Sequence, residues 1–297
     1  MKRPRMLRRD ARGQDARGGA ALIDPMVPVR GSEPDAPTPA GPRPEPSSSG
    51  SDRAVLEPRA FRFRIWRLRP GDRKGHFDEF AWPGRPEATV LDALLEFRRS
   101  RDRSLVMRHS CMHASCGLCS VRVNGREALA CDVRLADLPG STIRVEPIRG
   151  QAPLADLAVD TADFHARMET VGLPLVRGTE ASRAVAPEGI AAYTRFENCI
   201  ECGLCLSACP VARADGAYIG PAALAAAARL AEEPRGRPLG PVLELAAEPD
   251  SVWRCRDIME CSAVCPEAVD PARLVIGLRR RLALAAVGSI FRRSSGG

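Results

Sequence analysis

Alternating apolar and polar positions predict a small sheet in the first half of the chain. Phe61, Phe63 and Ile65 are separated by arginines, which is the period of a half-buried strand. Residues 76–82 are predicted to pair with this strand as a hairpin. Residues 142–148 are predicted to form another strand that closes the region.

A hairpin and a helix are predicted between these strands. The strand at residues 120–123 ends in Asn124-Gly125, a pair that favours a tight two-residue turn. At residues 89–99 apolar side chains recur at helical spacing, and Thr89 is a suitable N-cap. This region therefore predicts one helix associated with a sheet.

The second half of the chain has helical periodicity. A connecting helix is predicted at residues 154–169, an alanine-rich helix at 221–231 and an amphipathic helix at 271–287. With the preceding sheet, this predicts an α+β fold in two parts.

Composition divides the 297 residues into three stretches: 1–58, 59–150 and 151–297. Residues 1–58 are rich in Pro, Gly, Ser and Arg and are predicted to be disordered. No apolar run approaches the ~18 residues of a membrane span, and no secretory signal is expected near Met1. The net charge of +7 is spread along the chain, which does not indicate a nucleic-acid-binding face.

The eleven cysteines are the most informative feature of the composition. An odd number argues against a closed disulfide framework. Cysteines in a chain of this size indicate a reducing compartment in which thiolates serve as metal ligands.

The first cysteine group has the spacing C-x4-C-x2-C followed by a distant cysteine, and consists of Cys111, Cys116, Cys119 and Cys131. This is the plant-type [2Fe–2S] pattern. Gly117 is expected to let the backbone approach the cluster without a Cβ clash. Zinc is the alternative, although zinc sites favour paired C-x2-C knuckles. His109 and His113 lie beside the group and are expected to be surface or supporting residues.

The second group is a bacterial ferredoxin run, C-x2-C-x2-C-x3-C-P, formed by Cys199, Cys202, Cys205 and Cys209-Pro210. In two-cluster ferredoxins the fourth cysteine of such a run binds the other cluster. A second run follows at Cys255, Cys261 and Cys265-Pro266, but Ile258 stands where the pattern requires a cysteine.

If the last cysteine of each run binds the cluster of the other run, the two runs predict two further clusters. Cys199, Cys202, Cys205 and Cys265 are expected to hold [4Fe–4S], and Cys209, Cys255 and Cys261 are left for the other cluster. A cubane corner without a thiolate favours [3Fe–4S], while [4Fe–4S] with water or hydroxide on the fourth iron is the alternative. All eleven cysteines are then used, so a nucleophilic cysteine enzyme is not expected.

These motifs resemble the iron–sulfur subunit of succinate dehydrogenase and fumarate reductase, and the resemblance extends over residues 59–288. The absence of a cysteine at position 258 is itself a family feature. The matching segments are 110–119, 124–131, 199–210, 218–221, 252–255, Cys261, Cys265-Pro266 and Asp270-Pro271.

The resemblance implies a fold and a function. The fold would be a β-grasp [2Fe–2S] ferredoxin domain followed by an α-helical bacterial-ferredoxin-like domain. A partner flavoprotein with FAD would interconvert succinate and fumarate. Electrons would pass through [2Fe–2S], [4Fe–4S] and [3Fe–4S] to or from a quinone at a membrane anchor. The chain would be peripheral, on the cytoplasmic face of a bacterial inner membrane.

The quinone contacts are less specific in the sequence. The family's ubiquinone-type members carry a Trp shortly after the Cys-Pro pair, which this chain lacks, so the resemblance is closer to fumarate reductase. Pro210, Arg256 and Ile258 are candidates for the quinone pocket, and Arg279 is a further one. The alternative for Arg256 is a solvated or interface charge beside a cluster. Residues 279–281 are expected to form a solvated helix face, or else to meet anionic lipid or anchor loops. The alternative function is the iron–sulfur subunit of another flavoprotein, of the thiol-linked fumarate reductase or 2-hydroxy acid oxidase type.

Overall fold

The computed structural model describes residues 60–72, 74–173, 198–232 and 239–294. A sheet comes first and helices follow, which confirms the predicted α+β class. The segment 1–58, for which disorder is predicted, lies outside the described residues. Within the part of the chain described, no helix combines the length and apolar character that crossing a bilayer requires.

The sheet has the strand order β2-β1-β5-β3-β4. Its strands are β1 (Phe61–Arg67), β2 (His76–Trp82), β3 (Ser120–Val123), β4 (Arg126–Leu129) and β5 (Thr142–Glu146). Strand β1 pairs parallel with β5, and the other pairs are antiparallel. Phe61, Phe63 and Ile65 are buried, as their alternation predicts. Parallel pairing of β1 with β5, with a helix between them in the chain, gives the predicted β-grasp arrangement.

The predicted helix is α1 (Val90–Ser100), and its start is set by a capping box. The Thr89 hydroxyl accepts a hydrogen bond from Asp92 N at 3.2 Å, and the Asp92 carboxylate accepts one from Thr89 N at 2.8 Å. Two backbone donors at the helix start are thereby satisfied. The buried face of α1 consists of Val90, Leu91, Ala93, Leu94 and Phe97.

The connecting helix predicted at residues 154–169 is wrong in its first half. Strands β6 (Pro153–Ala155) and β7 (Ala158–Val159) form a short hairpin, and helix α2 (Ala162–Thr170) begins only afterwards.

Asp156, in the turn of this hairpin, explains the difference. It is buried with a φ of +43°, and its carboxylate accepts hydrogen bonds from Leu68 N at 2.9 Å and Val106 N at 2.7 Å. It also pairs with the buried guanidinium of Arg67 at 3.1 Å. These partners are distant in sequence, so helical periodicity alone could not reveal the hairpin.

Short helices carry the cysteine runs of the second half, and longer helices enclose them. The helices are α3 (Leu204–Ala208), α4 (Pro210–Ala214), α5 (Pro221–Glu232), α6 (Leu239–Ala247), α7 (Glu260–Ala263) and α8 (Pro271–Ser294). The predicted helices at 221–231 and 271–287 are confirmed as α5 and α8, and the latter is longer than expected. Small buried alanines allow α5 to pack closely against α8.

Two hydrophobic cores lie on either side of a continuous interface. The first extends from Phe61 to Val159 and the second begins at Phe164. Leu204, Ala208 and Val264 come from the helical half but belong to the first core. The cysteine runs are therefore packed directly against the sheet domain.

Candidate metal centres

The β3–β4 hairpin brings the first cysteine group together. Cys119 immediately precedes β3 and Cys131 follows β4, and their sulfur atoms lie 3.4 Å apart. The loop carrying Cys111 and Cys116 turns back toward them. The three residues of this loop with a positive φ are Met112, Ala114 and Gly117.

Backbone amides of this loop point at the sulfur atoms. Ala114 N donates to Cys131 Sγ at 3.2 Å, and Ser115 N donates to Cys111 Sγ at 3.3 Å. Hydrogen bonds from backbone N–H groups, that of His113 foremost, lower the pKa of Cys111 to about 6, whereas burial raises that of Cys119 to about 12. A buried thiol of that kind becomes a thiolate when it binds a metal.

Both histidines beside this group have partners other than the sulfur atoms. His109 Nε2 lies 3.4 Å from an Arg98 guanidinium nitrogen. Burial, followed by the Arg98 charge, lowers the pKa of His109. His113 Nδ1 is within hydrogen-bond distance of the Cys111 carbonyl. These contacts agree with the expected supporting role.

The second group is assembled from two distant segments. Cys199, Cys202 and Cys205 line one small cavity of about 20 Å³ together with Cys265. Burial, and then the neighbouring Cys199 and Cys265, raise the pKa of Cys202 to about 12. The structure thus brings together the four cysteines predicted to share a cluster.

The third group contains the remaining cysteines. Cys209, Cys255 and Cys261 line a separate cleft, beside the buried Tyr218. Burial raises the pKa of Cys261 to about 12, and Cys209 and Cys255 are the next causes. Cys209 is therefore grouped with the second run and Cys265 with the first, as the motif predicts.

The two cysteine runs repeat one backbone conformation. In the first, Glu201 and Gly203 have φ values of +53° and +75°, and Cys202 lies between them. In the second, Asp257 and Met259 have φ values of +56° and +69°.

Ile258 lies between Asp257 and Met259, so it occupies the place of Cys202 in the repeat. Gly203 and Met259 are also equivalent, because each is the N-cap of the short helix that follows. The structure therefore places Ile258 at the position where the sequence pattern requires a cysteine ligand.

The candidate quinone residues meet at the third group. Pro210, Arg256 and Ile258 line the same cleft as its three cysteines. The cleft has a volume of about 20 Å³ and lies among the three cysteines, so it marks the position of the proposed cluster and not a separate quinone cavity. Ile258 is 50 % exposed, so this side of the cleft is open to solvent.

The prediction that residues 279–281 form a solvated face is wrong for Arg279. Its Nη1 donates to the Cys255 carbonyl at 3.0 Å, and its Nη2 forms a hydrogen-bonded ion pair with Asp257. Arg281 Nη1 likewise reaches the Ala231 carbonyl at 3.1 Å. No local signal reveals these contacts, because the partners of each arginine are at least 22 residues away.

The donors of all three groups are cysteine sulfur atoms, several of them buried. Thiolates suit iron–sulfur clusters and also suit zinc. Comparisons with family models favour the clusters.

Comparisons with known proteins agree with this arrangement. A family model described as "2Fe-2S iron-sulfur cluster binding domain" matches residues 62–166. A second, described as "4Fe-4S dicluster domain", matches residues 195–269.

Similar proteins match most of the chain. The fumarate reductase iron–sulfur subunit of Mycobacterium tuberculosis is 35 % identical over 226 residues, covering 74 % of this chain and 89 % of the relative. The succinate dehydrogenase iron–sulfur subunit of Coxiella burnetii is 33 % identical, covering 74 % and 96 %. A chain of the Mycobacterium smegmatis Sdh1 complex has the same fold, with a TM-score of 0.68 at 23 % identity, over 75 % of this chain and 95 % of that one. The chain therefore belongs to the family of iron–sulfur subunits of succinate dehydrogenase and fumarate reductase.

Proposed function

We propose that this chain relays electrons between a partner flavoprotein containing FAD, which interconverts succinate and fumarate, and a quinone at a membrane anchor. The observation that carries the proposal is the partition of eleven cysteines into three separate groups within one family fold. The chain contributes the electron path, and the succinate/fumarate chemistry belongs to the flavoprotein.

Each cysteine group has a proposed cluster. The first, Cys111, Cys116, Cys119 and Cys131, would hold [2Fe–2S]. The second, Cys199, Cys202, Cys205 and Cys265, would hold [4Fe–4S]. The third, Cys209, Cys255 and Cys261, would hold [3Fe–4S]. When bound, the clusters supply one-electron redox chemistry.

The residues of this chain set the environment of that chemistry. Backbone N–H groups of Ala114 and Ser115 donate to sulfur in the first group, and Val269 N donates to Cys265 Sγ at 3.4 Å in the second. Such hydrogen bonds, with burial and charge, tune reduction potentials. Ile258 offers no ligand to the third group, which supports three irons there rather than four.

The proposed partners dock at opposite ends of the relay. Met112 and Leu118 are exposed apolar residues of the first cysteine loop, where we place the flavoprotein. Trp253, Ile258 and Met259 are exposed apolar residues at the third group, where we place the membrane anchor. In both places the exposed apolar residues lie within a few positions of proposed cluster ligands, which supports these two docking sites. The chain would then be peripheral, on the cytoplasmic face of a bacterial inner membrane.

The quinone would bind where Pro210, Arg256 and Ile258 border the third group. Because Ile258 is half exposed at this cleft, this chain would supply only one wall of the quinone pocket. The anchor would supply the rest of the pocket, which agrees with the exposure of Ile258.

The proposed division into residues 59–150 and 151–297 separates the first cluster from the other two.

The alternative, an iron–sulfur subunit of another flavoprotein, is not favoured. The succinate dehydrogenase and fumarate reductase relatives match this chain over most of their length. Ile258, in the place of Cys202, gives the second run one ligand fewer than a complete ferredoxin run.

Low-temperature EPR of the anaerobically purified chain tests the proposal. We expect a near-isotropic signal from the oxidised protein and a rhombic [2Fe–2S] signal after dithionite. An EPR-silent oxidised sample with iron and sulfide present would place four irons in the third group and weaken the quinone-linked assignment. Absence of iron after anaerobic reconstitution would overturn the relay.

A further inference from the structure

The loops of the first and second cysteine groups touch at one place in the interface. A Cβ atom added at Gly117 would lie 2.8 Å from Cys202 Cβ and 2.9 Å from the Ile200 carbonyl oxygen. Gly117 also has a φ of +70°, which disfavours other residues. The glycine expected to admit a cluster therefore also admits the neighbouring cysteine loop.

Ser120 makes the hydrogen-bonded part of this contact. Its hydroxyl lies 2.9 Å from the Cys202 carbonyl oxygen and 2.8 Å from that of Gly117. Ser120 directly follows Cys119. The one hydroxyl proton lies between these two acceptors. Through it the side chain of Ser120, the residue bonded to Cys119, donates to the backbone carbonyl of a second-group cysteine.

A cavity of about 240 Å³ borders this contact, and Cys116, Ser120 and Cys202 all line it. Electronic coupling falls more slowly along covalent bonds and hydrogen bonds than across gaps between non-bonded atoms. The connection from Cys119 through Ser120 to Cys202 consists of covalent bonds and one hydrogen bond, which suits it to conduct electrons.

We propose that Ser120 is a positioning residue for electron transfer, because its hydroxyl carries the contact through which the first and second centres exchange electrons. This inference rests on the proposed function. With both clusters bound, one electron would leave the [2Fe–2S] site, which would be oxidised, and enter the [4Fe–4S] site, which would be reduced. No covalent bond forms or breaks, and Ser120 keeps its proton.

The test compares Ser120→Ala with Ser141→Ala, an exposed serine of the same domain, in the full reconstituted chain. Each protein is photoreduced with less than one electron per molecule, and redistribution between the two sites is followed by freeze-quench EPR. We expect Ser120→Ala to slow redistribution several-fold. In a separate sample of each protein, fully reduced with dithionite, we expect Ser120→Ala to weaken the spin coupling between the first and second sites. Iron content and melting temperature should match those of the control.

The result that overturns the proposal is redistribution in Ser120→Ala at the wild-type rate with unchanged coupling. If this variant did not assemble its clusters, Ser120→Thr and Ser120→Val would make the same comparison, because they are nearly isosteric and differ in the hydroxyl. Equal rates in that pair would also overturn it. Failure of the proposed function is distinct, because the wild-type chain itself would then lack iron.

Discussion

At the residue scale, single positions decide how many ligands each centre receives and how closely the centres approach. Ile258 and Cys202 share one backbone conformation, but only Cys202 has a sulfur atom. Gly117 has no side chain, and this lets the loop of the first group lie against Cys202. In each case the identity of a single residue produces the effect.

Replacing Ile258 by cysteine is expected to restore a fourth ligand to the third group. The positive φ of Asp257 and Met259 already holds position 258 as Cys202 is held. EPR of the oxidised protein should lose its near-isotropic signal, and iron analysis should find one additional iron per chain. The control Ile258→Ala should keep the wild-type signal. A wild-type spectrum in Ile258→Cys would contradict the structural equivalence.

Replacing Gly117 by alanine is expected to destabilise the reconstituted protein more than Gly125→Ala does. Both positions have positive φ, a strain of about 1–2 kcal/mol for alanine, but a Cβ at Gly125 meets open space. The clash with Cys202 adds about 1–3 kcal/mol. Denaturant unfolding of the two variants measures the difference in their free energies of unfolding. Equal decreases in both variants would show that the loop around Cys202 moves to accept the added Cβ without loss of stability.

At the element scale, the β6–β7 hairpin shows how one buried carboxylate can override helical periodicity. Arg67 lies at the end of β1 and also pairs with Asp78 of β2 at 2.8 Å and with Asp102 at 2.7 Å. Asp156 joins this network from the hairpin. A helix through residue 156 would remove the carboxylate from Arg67, and the buried cation would lose a partner.

Asp156→Ala is expected to lower the free energy of unfolding by about 2–4 kcal/mol, because Arg67 loses one of three carboxylate partners and keeps Asp78 and Asp102. Two backbone N–H groups, of Leu68 and Val106, also lose their acceptor. Urea unfolding measures the loss. The exposed Asp72→Ala should change stability by less than about 0.5 kcal/mol. Similar losses in both variants would refute the role of Asp156 in anchoring the hairpin.

At the scale of the whole molecule, a polar network within the interface joins the two halves. The fully buried Ser207 of α3 donates to the Glu127 carboxylate at 2.9 Å and accepts from Arg149 N at 2.8 Å. Glu127 also pairs with the buried Arg122 at 3.7 Å. Arg126 reaches the Ala263 carbonyl at 3.3 Å. These contacts join the sheet domain to the helices that carry the second and third cysteine groups.

Ser207→Ala is expected to cost about 1–3 kcal/mol, because the Arg149 amide and a Glu127 oxygen lose their partner. The amide hydrogen of Arg149 should exchange faster than in the wild type. Ser251→Ala is the matched control, since Ser251 is buried within the helical half and donates to Leu245 O. Ser251→Ala should leave the hydrogen-exchange rate of the Arg149 amide unchanged. Unaltered exchange in Ser207→Ala would show that this network does not secure the interface.

The sequence by itself determined the strands of the five-stranded sheet, helices α1, α5 and α8, and the three cysteine groups. These depend on local patterns: alternation in Phe61–Arg67, the Thr89 cap, and cysteines a few residues apart. Even the exchange of Cys209 and Cys265 between runs follows from motif spacing, and the structure groups these cysteines accordingly.

Only the tertiary structure decided the hairpin around Asp156, the contacts of Arg279 and the bridge from Ser120 to Cys202. The partners of Asp156 lie 50 or more residues away, and Cys202 lies 82 residues from Ser120. Such contacts arise from the way the two halves pack. The sequence pattern does not reveal these contacts, because the local pattern around each residue is the same whether or not its distant partner is present.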